Sequence, residues 1–294
     1  MSDRASFPAY IVLDEHSETL CFAARLSVDA VDAPDGTLSL SDLAQRWGFE
    51  LLQASQRDSV ESGALLASYR DQWQLQIAGS EAISCVDFSR PALLARLNRN
   101  NLPAEQVVRA VRGRLPAAAS LSVLDATAGF GVDATLLAAA GCEVTLLERM
   151  PFLADLLAQA VQRARSDDDT HLAAAAGRMQ LRCGDSVALM CNWSAPPPEV
   201  IYLDPMYHLP QNSADTGRGL KKSAAIKKQM ALLQCVTHGD DRLAENNEQL
   251  MHSALALAEK KVVVKRAPSA PYLAEKNPSS SLSGKAARFD IYAC

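Results

Sequence analysis

Long hydrophobic runs are missing from this chain. None approaches the roughly 20 residues that a bilayer-spanning helix needs, although 48% of the 294 residues are hydrophobic. That composition supports a substantial buried core in one large or two smaller domains. The opening Met-Ser-Asp-Arg-Ala lacks the basic flank, apolar stretch and cleavage site of a secretory leader, so a soluble cytoplasmic protein is expected. The seven cysteines (Cys21, Cys85, Cys142, Cys183, Cys191, Cys235, Cys294) are scattered, odd in number and form no Cys-x-x-Cys pair. This predicts no metal site and no disulfide framework. An excess of positive charge is absent too. Lys and Arg total 29 against 34 Asp and Glu, for a net charge of −5.

The net charge hides local runs. Arg90, Arg96, Arg99, Arg109, Arg112 and Arg114 face only Glu105 in their segment. Arg218, Lys221, Lys222, Lys227 and Lys228 follow Asp215 with no further acid before Asp240, and Lys260, Lys261, Lys265 and Arg266 form a third run. Local basic patches, not net charge, contact phosphates. Each run taken singly also fits a solvated helix face.

Residues 1–90 mix strand-like segments (Tyr10–Leu13, Trp73–Ile77, Ile83–Phe88) with a short capped helix at Ser41 to Trp47. They predict a small α+β N-terminal domain. Residues 91–116 predict a helical connector, broken near Leu102-Pro103. From 117 to 294 strands and helices alternate, which implies a doubly wound, mostly parallel sheet. The predicted strands are Leu121–Leu124, Cys142–Leu147, Met179–Arg182, Val200–Leu203, Lys261–Lys265 and Phe289–Tyr292. The helices are Asp133–Ala140, Met150–Arg165 and Asn246–Glu259. Pro196-Pro197-Pro198 reads as a surface loop and Ser279–Ser283 as a flexible one.

The ends of these strands carry the chemistry. The first runs into Asp125-Ala-Thr127-Ala-Gly129-Phe-Gly131-Val132-Asp133. Two glycines in a strand-to-helix turn let the backbone approach a ligand closely. Glu148 ends the second strand, about 20 residues after that turn, where an acid binds ribose hydroxyls. Asp185 and Ser186 follow the third. A dinucleotide fold wants positive potential at the helix N-terminus for a pyrophosphate, but Asp133 sits there. A carboxylate suits a cationic cofactor without phosphate, and S-adenosylmethionine, a sulfonium with an amino-acid tail, is expected.

The fourth strand, Val200-Ile-Tyr-Leu203, ends in Asp204-Pro205-Met-Tyr207. Asp204 and the Pro205 carbonyl could accept hydrogen bonds from an exocyclic amine and draw its lone pair out of conjugation. Tyr207 could stack on the base, worth roughly 1–3 kcal/mol. An ordinary Asp-Pro turn reads the same way; the acid at each preceding strand end favours the site. Adenine N6, a protein glutamine amide and a guanine amine all fit this logic. A non-catalytic RNA-binding assembly factor is a further alternative.

These stretches resemble the RsmJ family of bacterial small-subunit (16S) ribosomal RNA guanine-N2 methyltransferases. The resemblance is carried by Asp125 to Asp133, Gly141-Cys142 through Leu147-Glu148-Arg149, and Tyr202 to Tyr207. It continues in Lys221-Lys222-Ser-Ala with Lys227-Lys228, Val262 to Pro268, and Arg288 to Ala293. It implies a Rossmann-like methyltransferase sheet with an antiparallel strand near the C-terminal end. It implies cofactor contacts at Val132, Asp133, Glu148, Arg149, Asp185, Ser186 and Asp204, and a ribosomal RNA or assembled small subunit as partner. Val132 stands where the family usually carries arginine, leaving only a backbone contact, and Asn212 to Gly217 lengthens the segment after Tyr207. Asp125, Gly129 and Gly131 are expected around the methionine moiety. Lys221, Lys222, Lys227, Lys228, Lys265 and Arg266 are expected at RNA phosphates. Arg288 and Asp290 are expected to form a structural ion pair.

Overall fold

A computed structural model describes residues 9–13, 45, 50–53, 64–69, 72–77, 83–84, 86–98, 100–116, 119–205 and 243–294. The described residues divide into two units. The first holds a five-stranded sheet of β1 (Ala9–Leu13), β2 (Glu50–Gln53), β3 (Ala64–Tyr69), β4 (Gln72–Ile77) and β5 (Ile83–Ser84), in the order β2-β1-β3-β4-β5. β1 pairs in parallel with β2 and β3, while β3–β4 and β4–β5 are antiparallel. β2 and β3 were not anticipated from the sequence. The expected helix at Ser41 to Trp47 lies almost wholly outside the described residues.

The second unit holds 87–205 and 243–294. Its sheet contains β6 (Leu121–Asp125), β7 (Cys142–Glu148), β8 (Met179–Cys183), β9 (Val200–Leu203), β10 (Lys261–Arg266), β11 (Ser280–Ser283) and β12 (Arg288–Ala293). The order is β11-β12-β10-β9-β6-β7-β8. β6 through β10 pair in parallel and β12 runs antiparallel between β10 and β11. The chain winds outward from β6 through β7 to β8, then returns to β9 on the other side of β6. Ligands bind at such a reversal, outside the carboxyl ends of the strands.

Local sequence explains the strands. β9 is buried at all four residues, as a parallel strand covered on both faces must be. Ile201, Leu203, Val262 and Val264 alternate onto one face, where Leu250, Met251 and Ala254 of the helix Leu243–Leu257 meet them. Each side chain buried this fully contributes roughly 1.5–3 kcal/mol of transfer free energy. The helix Pro151–Arg165 has proline in its first turn and buries Leu153, Leu156, Leu157, Ala160, Val161 and Ala164, an i, i+3/i+4 stripe.

The helix Val132–Ala139 buries Ala134 through Ala138. The helices Pro91–Leu97 and Gln106–Arg112 pack against it, so these helices of the expected connector belong to the second unit.

The helices Thr170–Gly177 and Ser186–Cys191 and the strand Ser280–Ser283 are among the elements of this unit that escape the sequence reading. The helix Thr170–Gly177 is capped by Asp169, whose side chain accepts from the backbone N–H groups of His171 and Leu172. The short helix Ser186–Cys191 is capped by Asp185. Ser280–Ser283 is an edge strand, not the flexible loop expected. It pairs with β12, and Ser281 Oγ donates to Asp290 Oδ1 at 2.6 Å. Serine-rich sequence shows no apolar alternation, and an edge strand with one ladder needs little of it.

Candidate active site

β6 ends at Asp125, a carboxyl that is 2% exposed. Its Oδ1 accepts the Thr127 N–H at 3.1 Å. Burial is the largest influence and pushes this carboxyl up to about 8, with neighbouring Asp133 and Asp204 adding to the effect. Thr127 then reaches across to the next strand. Its Oγ1 accepts the Asp204 N–H at 2.6 Å, fixing the backbone where β9 ends. The hydroxyl therefore links the first and fourth strand ends.

The two glycines of the turn do different work. Both have positive φ, 53° at Gly129 and 69° at Gly131, a conformation that side chains other than glycine rarely adopt. A Cβ on Gly131 would lie 2.6 Å from Leu157 Cδ1 and 3.1 Å from Phe88 Cζ. Gly131 is thus required for packing beneath the loop. A Cβ on Gly129 would meet nothing nearer than the Thr127 carbonyl at 3.9 Å, so Gly129 is the residue that leaves room over the loop.

Glu148, at the end of β7, holds this loop down. Its Oε2 accepts the Gly129 N–H at 3.0 Å and its Oε1 the Met150 N–H at 2.9 Å. Burial raises the Glu148 carboxyl, and these backbone donors offset part of that. Arg149 beside it is exposed. At the third strand end, Asp185 accepts the Ala188 N–H at 2.9 Å, and Ser186 Oγ donates to the Ala126 carbonyl at 2.6 Å. Ser186 is thereby tied to the loop after Asp125.

Between the Val132–Ala139 helix and β9–β10 lies a charged network. Lys265 Nζ is 2.6 Å from Asp133 Oδ2 and 2.8 Å from Asp204 Oδ2. The Tyr202 hydroxyl donates to the same Asp133 Oδ2 at 2.6 Å. Burial opposes ionisation of Asp133, but the Lys265 ammonium and the Tyr202 hydroxyl outweigh it and hold the carboxyl below its usual range. Burial would likewise depress Lys265, yet Asp204 and Asp133 hold its ammonium well above the usual lysine range. The Tyr202 phenol is pushed up, first by burial and then by Asp133.

Lys265 and Arg266, expected at RNA phosphates, both have partners within the fold. Lys265 is engaged by two carboxylates. Arg266 is 6% exposed, and its Nε donates to the Pro271 carbonyl at 3.1 Å. Their charges were legible, but the partners of Lys265 lie far off in sequence. Tyr207, Lys221, Lys222, Lys227 and Lys228 lie outside the described residues. Pro205 is half-buried at the mouth of β9. Arg288 and Asp290 do pair, at 2.8 Å.

Thr127 and Tyr202 were not singled out from the sequence. Tyr202 had a usable signal: on a strand it shares a face with the residue two further on, Asp204. The basic run at 90–114 is divided by the structure. Arg96 pairs with Glu105 through Nε and Nη2 at 2.8 and 2.9 Å, and Arg112 is buried against the Pro116 and Ala119 carbonyls. Arg109 and Arg114 are exposed.

The donor set fits S-adenosylmethionine. Gly129 leaves space over the loop, and Asp133, Asp204 and Glu148 supply more negative charge than Lys265 neutralises. Such a rim attracts a sulfonium and an ammonium and repels a pyrophosphate. No group of three metal-ligating side chains occurs among the described residues, and no helix among them is long and apolar enough to cross a membrane.

Comparison with known proteins agrees with this geometry. Residues 42–294 match the family model SAM_MT, described as a SAM-dependent methyltransferase. The chain is 38% identical over 271 residues to the ribosomal RNA small subunit methyltransferase J of Pseudomonas savastanoi pv. phaseolicola, covering 92% of this chain and 91% of that one. The protein of the same name from Pseudoalteromonas atlantica is 43% identical over 211 residues, 70% of this chain and 75% of that one. A crystal structure of a SAM-dependent methyltransferase from Neisseria gonorrhoeae superposes with a TM-score of 0.64 at 27% identity, covering 97% and 96% of the two chains. With its Rossmann-like sheet, its reversal between β6 and β9 and this degree of identity, the chain belongs to the S-adenosylmethionine-dependent ribosomal RNA small subunit methyltransferase J family.

Proposed function

We propose that this protein methylates the N2 amine of a guanine in 16S ribosomal RNA, acting in the cytoplasm on the RNA or the assembled small subunit. The carrying observation is the convergence of Asp125, Thr127, Asp133, Asp204 and Lys265 at the point where the sheet reverses, one strand end from Glu148. Bound S-adenosylmethionine supplies an already activated methyl group. The protein's task is then mainly alignment, which alone accounts for much of the rate in reactions of this kind.

Glu148 takes the ribose hydroxyls while its backbone bonds hold the Gly129 loop in place. Asp133 faces the cationic end of the cofactor, and Asp185 with Ser186 the adenine side. Val132 and Arg149 flank these through the backbone and the exposed side chain. Asp204 and the Pro205 carbonyl accept the two N–H bonds of the guanine amine and direct its lone pair at the methyl group. Tyr207 stacks on the base, which must leave its helix to enter the site. Lys221, Lys222, Lys227 and Lys228 hold the adjoining phosphates. In this division, residues 1–90 form a separate α+β domain and 117–294 the methyltransferase domain, to which the helices of 91–116 belong.

The test is to incubate the protein and labelled cofactor with naked 16S RNA and with assembled small subunits, then identify the product by nucleoside mass spectrometry. N2-methylguanosine at one position is the expected result. Methyladenosine, or label in ribosomal protein, would reassign the substrate, and no transfer to either preparation would refute the activity.

A further inference from the structure

Strand register explains how Lys265 reaches the site. β9 and β10 pair in parallel with Val263 opposite Tyr202 and Val264 opposite Leu203, which brings Lys265 level with Asp204. Alternation then puts Tyr202, Val263, Asp204 and Lys265 on one face of the sheet. Against that face lies the Val132–Ala139 helix, whose first turn carries Asp133. One ammonium thus bridges an acid on the helix and an acid at the strand end, at 2.6 and 2.8 Å.

We propose that Lys265 is a positioning residue for methyl transfer: it couples the cofactor-side Asp133 to the substrate-side Asp204 and keeps Asp204 an ionised, correctly aimed acceptor for the amine. This rests on the assignment of Asp204 to the guanine amine made above. Three carboxyls converge here: Asp125 from β6, Asp133 from the helix and Asp204 after β9. Like charges in one site drive one member to take up a proton, whereas an ammonium within hydrogen-bond distance favours the ionised form. A protonated Asp204 would present a hydroxyl to the amine, turning an acceptor into a donor. Among the described residues, the network also holds the Tyr202 phenol on β9 and, acting on Asp133 from the Pro91–Leu97 helix, the Arg96 guanidinium. Neither lies between the two acids as Lys265 does. With its ammonium shared by two carboxylates, Lys265 has no net charge left over for an RNA phosphate.

The measurement is a carbon-13 titration of the aspartate carboxyls in the full chain without RNA, with the Asp204 resonance assigned by its loss in Asp204→Asn. In the wild type, Asp204 is expected to titrate below the ordinary aspartate value of about 3.9. Lys265→Gln should raise that midpoint by at least about one unit, while Lys265→Arg leaves it near wild type. Turnover of Lys265→Gln should fall to about half at the raised Asp204 midpoint, a pH at which the wild type keeps most of its activity, with the KM for S-adenosylmethionine little changed. An unshifted Asp204 midpoint in folded Lys265→Gln would overturn the proposal. So would a lower salt slope of RNA binding in that variant with an unaltered pH profile. If Lys265→Gln does not fold, the wild-type midpoint decides: a value at or above that of free aspartate refutes the role. A low midpoint in a wild-type protein that methylates no guanine would instead count against the proposed substrate, leaving the electrostatic link intact.

Discussion

Two ion clusters sit on the sheet of the second unit. At the C-terminal corner, Arg288 grips Asp290 through Nε and Nη2 at 2.8 and 2.9 Å, while Ser281 adds a third donor. The remaining guanidinium contacts go to the Pro268 and Ala270 carbonyls, and the group stacks on Tyr272 at 4.8 Å. Asp290 is 0% exposed. At the reversal point, Lys265 bridges Asp133 and Asp204, but Lys265 and Asp204 keep 28% and 39% of their side-chain surface open. The corner is a bidentate pair, its carboxylate fully buried and its guanidinium largely covered, that pins the edge strand β11 to β12. The rim is a branched cluster with a flexible ammonium and accessible oxygens. Enclosure and bidentate geometry serve the fold; partial exposure and surplus negative charge leave the rim open to a cationic ligand.

Breaking the corner should have the largest effect on stability. Arg288→Met strands the Asp290 carboxylate in the interior, and losing one partner of a buried pair destabilises by about 3–5 kcal/mol. Urea unfolding should show that loss, while the fraction still folded binds S-adenosylmethionine normally. A loss of affinity with unchanged stability would invert the comparison. Breaking the rim should do the reverse. Asp204→Ala is expected to reduce turnover about 100-fold or more, the order seen when a group that acts on the transition state is removed. Cofactor affinity should change far less. Equal losses in both would mean that Asp204 binds cofactor alone.

A pH dependence sharpens the comparison further. The folded Asp125 carboxyl titrates at about 8, above the unfolded value of about 3.9. Between these values the folded state holds a proton that the unfolded state has released. Stability therefore falls as pH rises from about 4 to about 8, by at most about 1.4 kcal/mol per unit from this group. Asp125→Asn keeps an oxygen to accept the Thr127 N–H and removes the titration. Denaturant unfolding across this range should show a flatter pH dependence in the variant. An identical slope would mean that the folded Asp125 carboxyl titrates where it does in the unfolded chain.

The same contrast separates what was legible in the sequence from what was not. β9 lies at Val200–Leu203 as its apolar run predicts, and β6, β7, β8, β10 and β12 fall within a residue or so of expectation. Buried parallel strands announce themselves because both faces demand apolar residues. β11 did not, since its Ser-Ser-Leu-Ser is held by one ladder and by Ser281, features that no local pattern encodes. The acids at the strand ends were legible because chain order places them on one rim. Lys265 was read by charge alone, because its two partners lie 61 and 132 residues away. Gly131 was read as leaving room for a ligand. Only the packing of Leu157 and Phe88 shows that the room is already filled.

If the acid rim, and not any other part of the sheet, takes a cationic cofactor, affinity for S-adenosylmethionine must depend on the acids at these strand ends. Titration calorimetry of S-adenosylmethionine into the full chain and into Glu148→Ala tests it most directly. Charge-assisted hydrogen bonds contribute about 1.5–3 kcal/mol each, so the wild type should bind and the variant should bind at least about tenfold more weakly. Equal affinity in a folded Glu148→Ala protein would contradict the account.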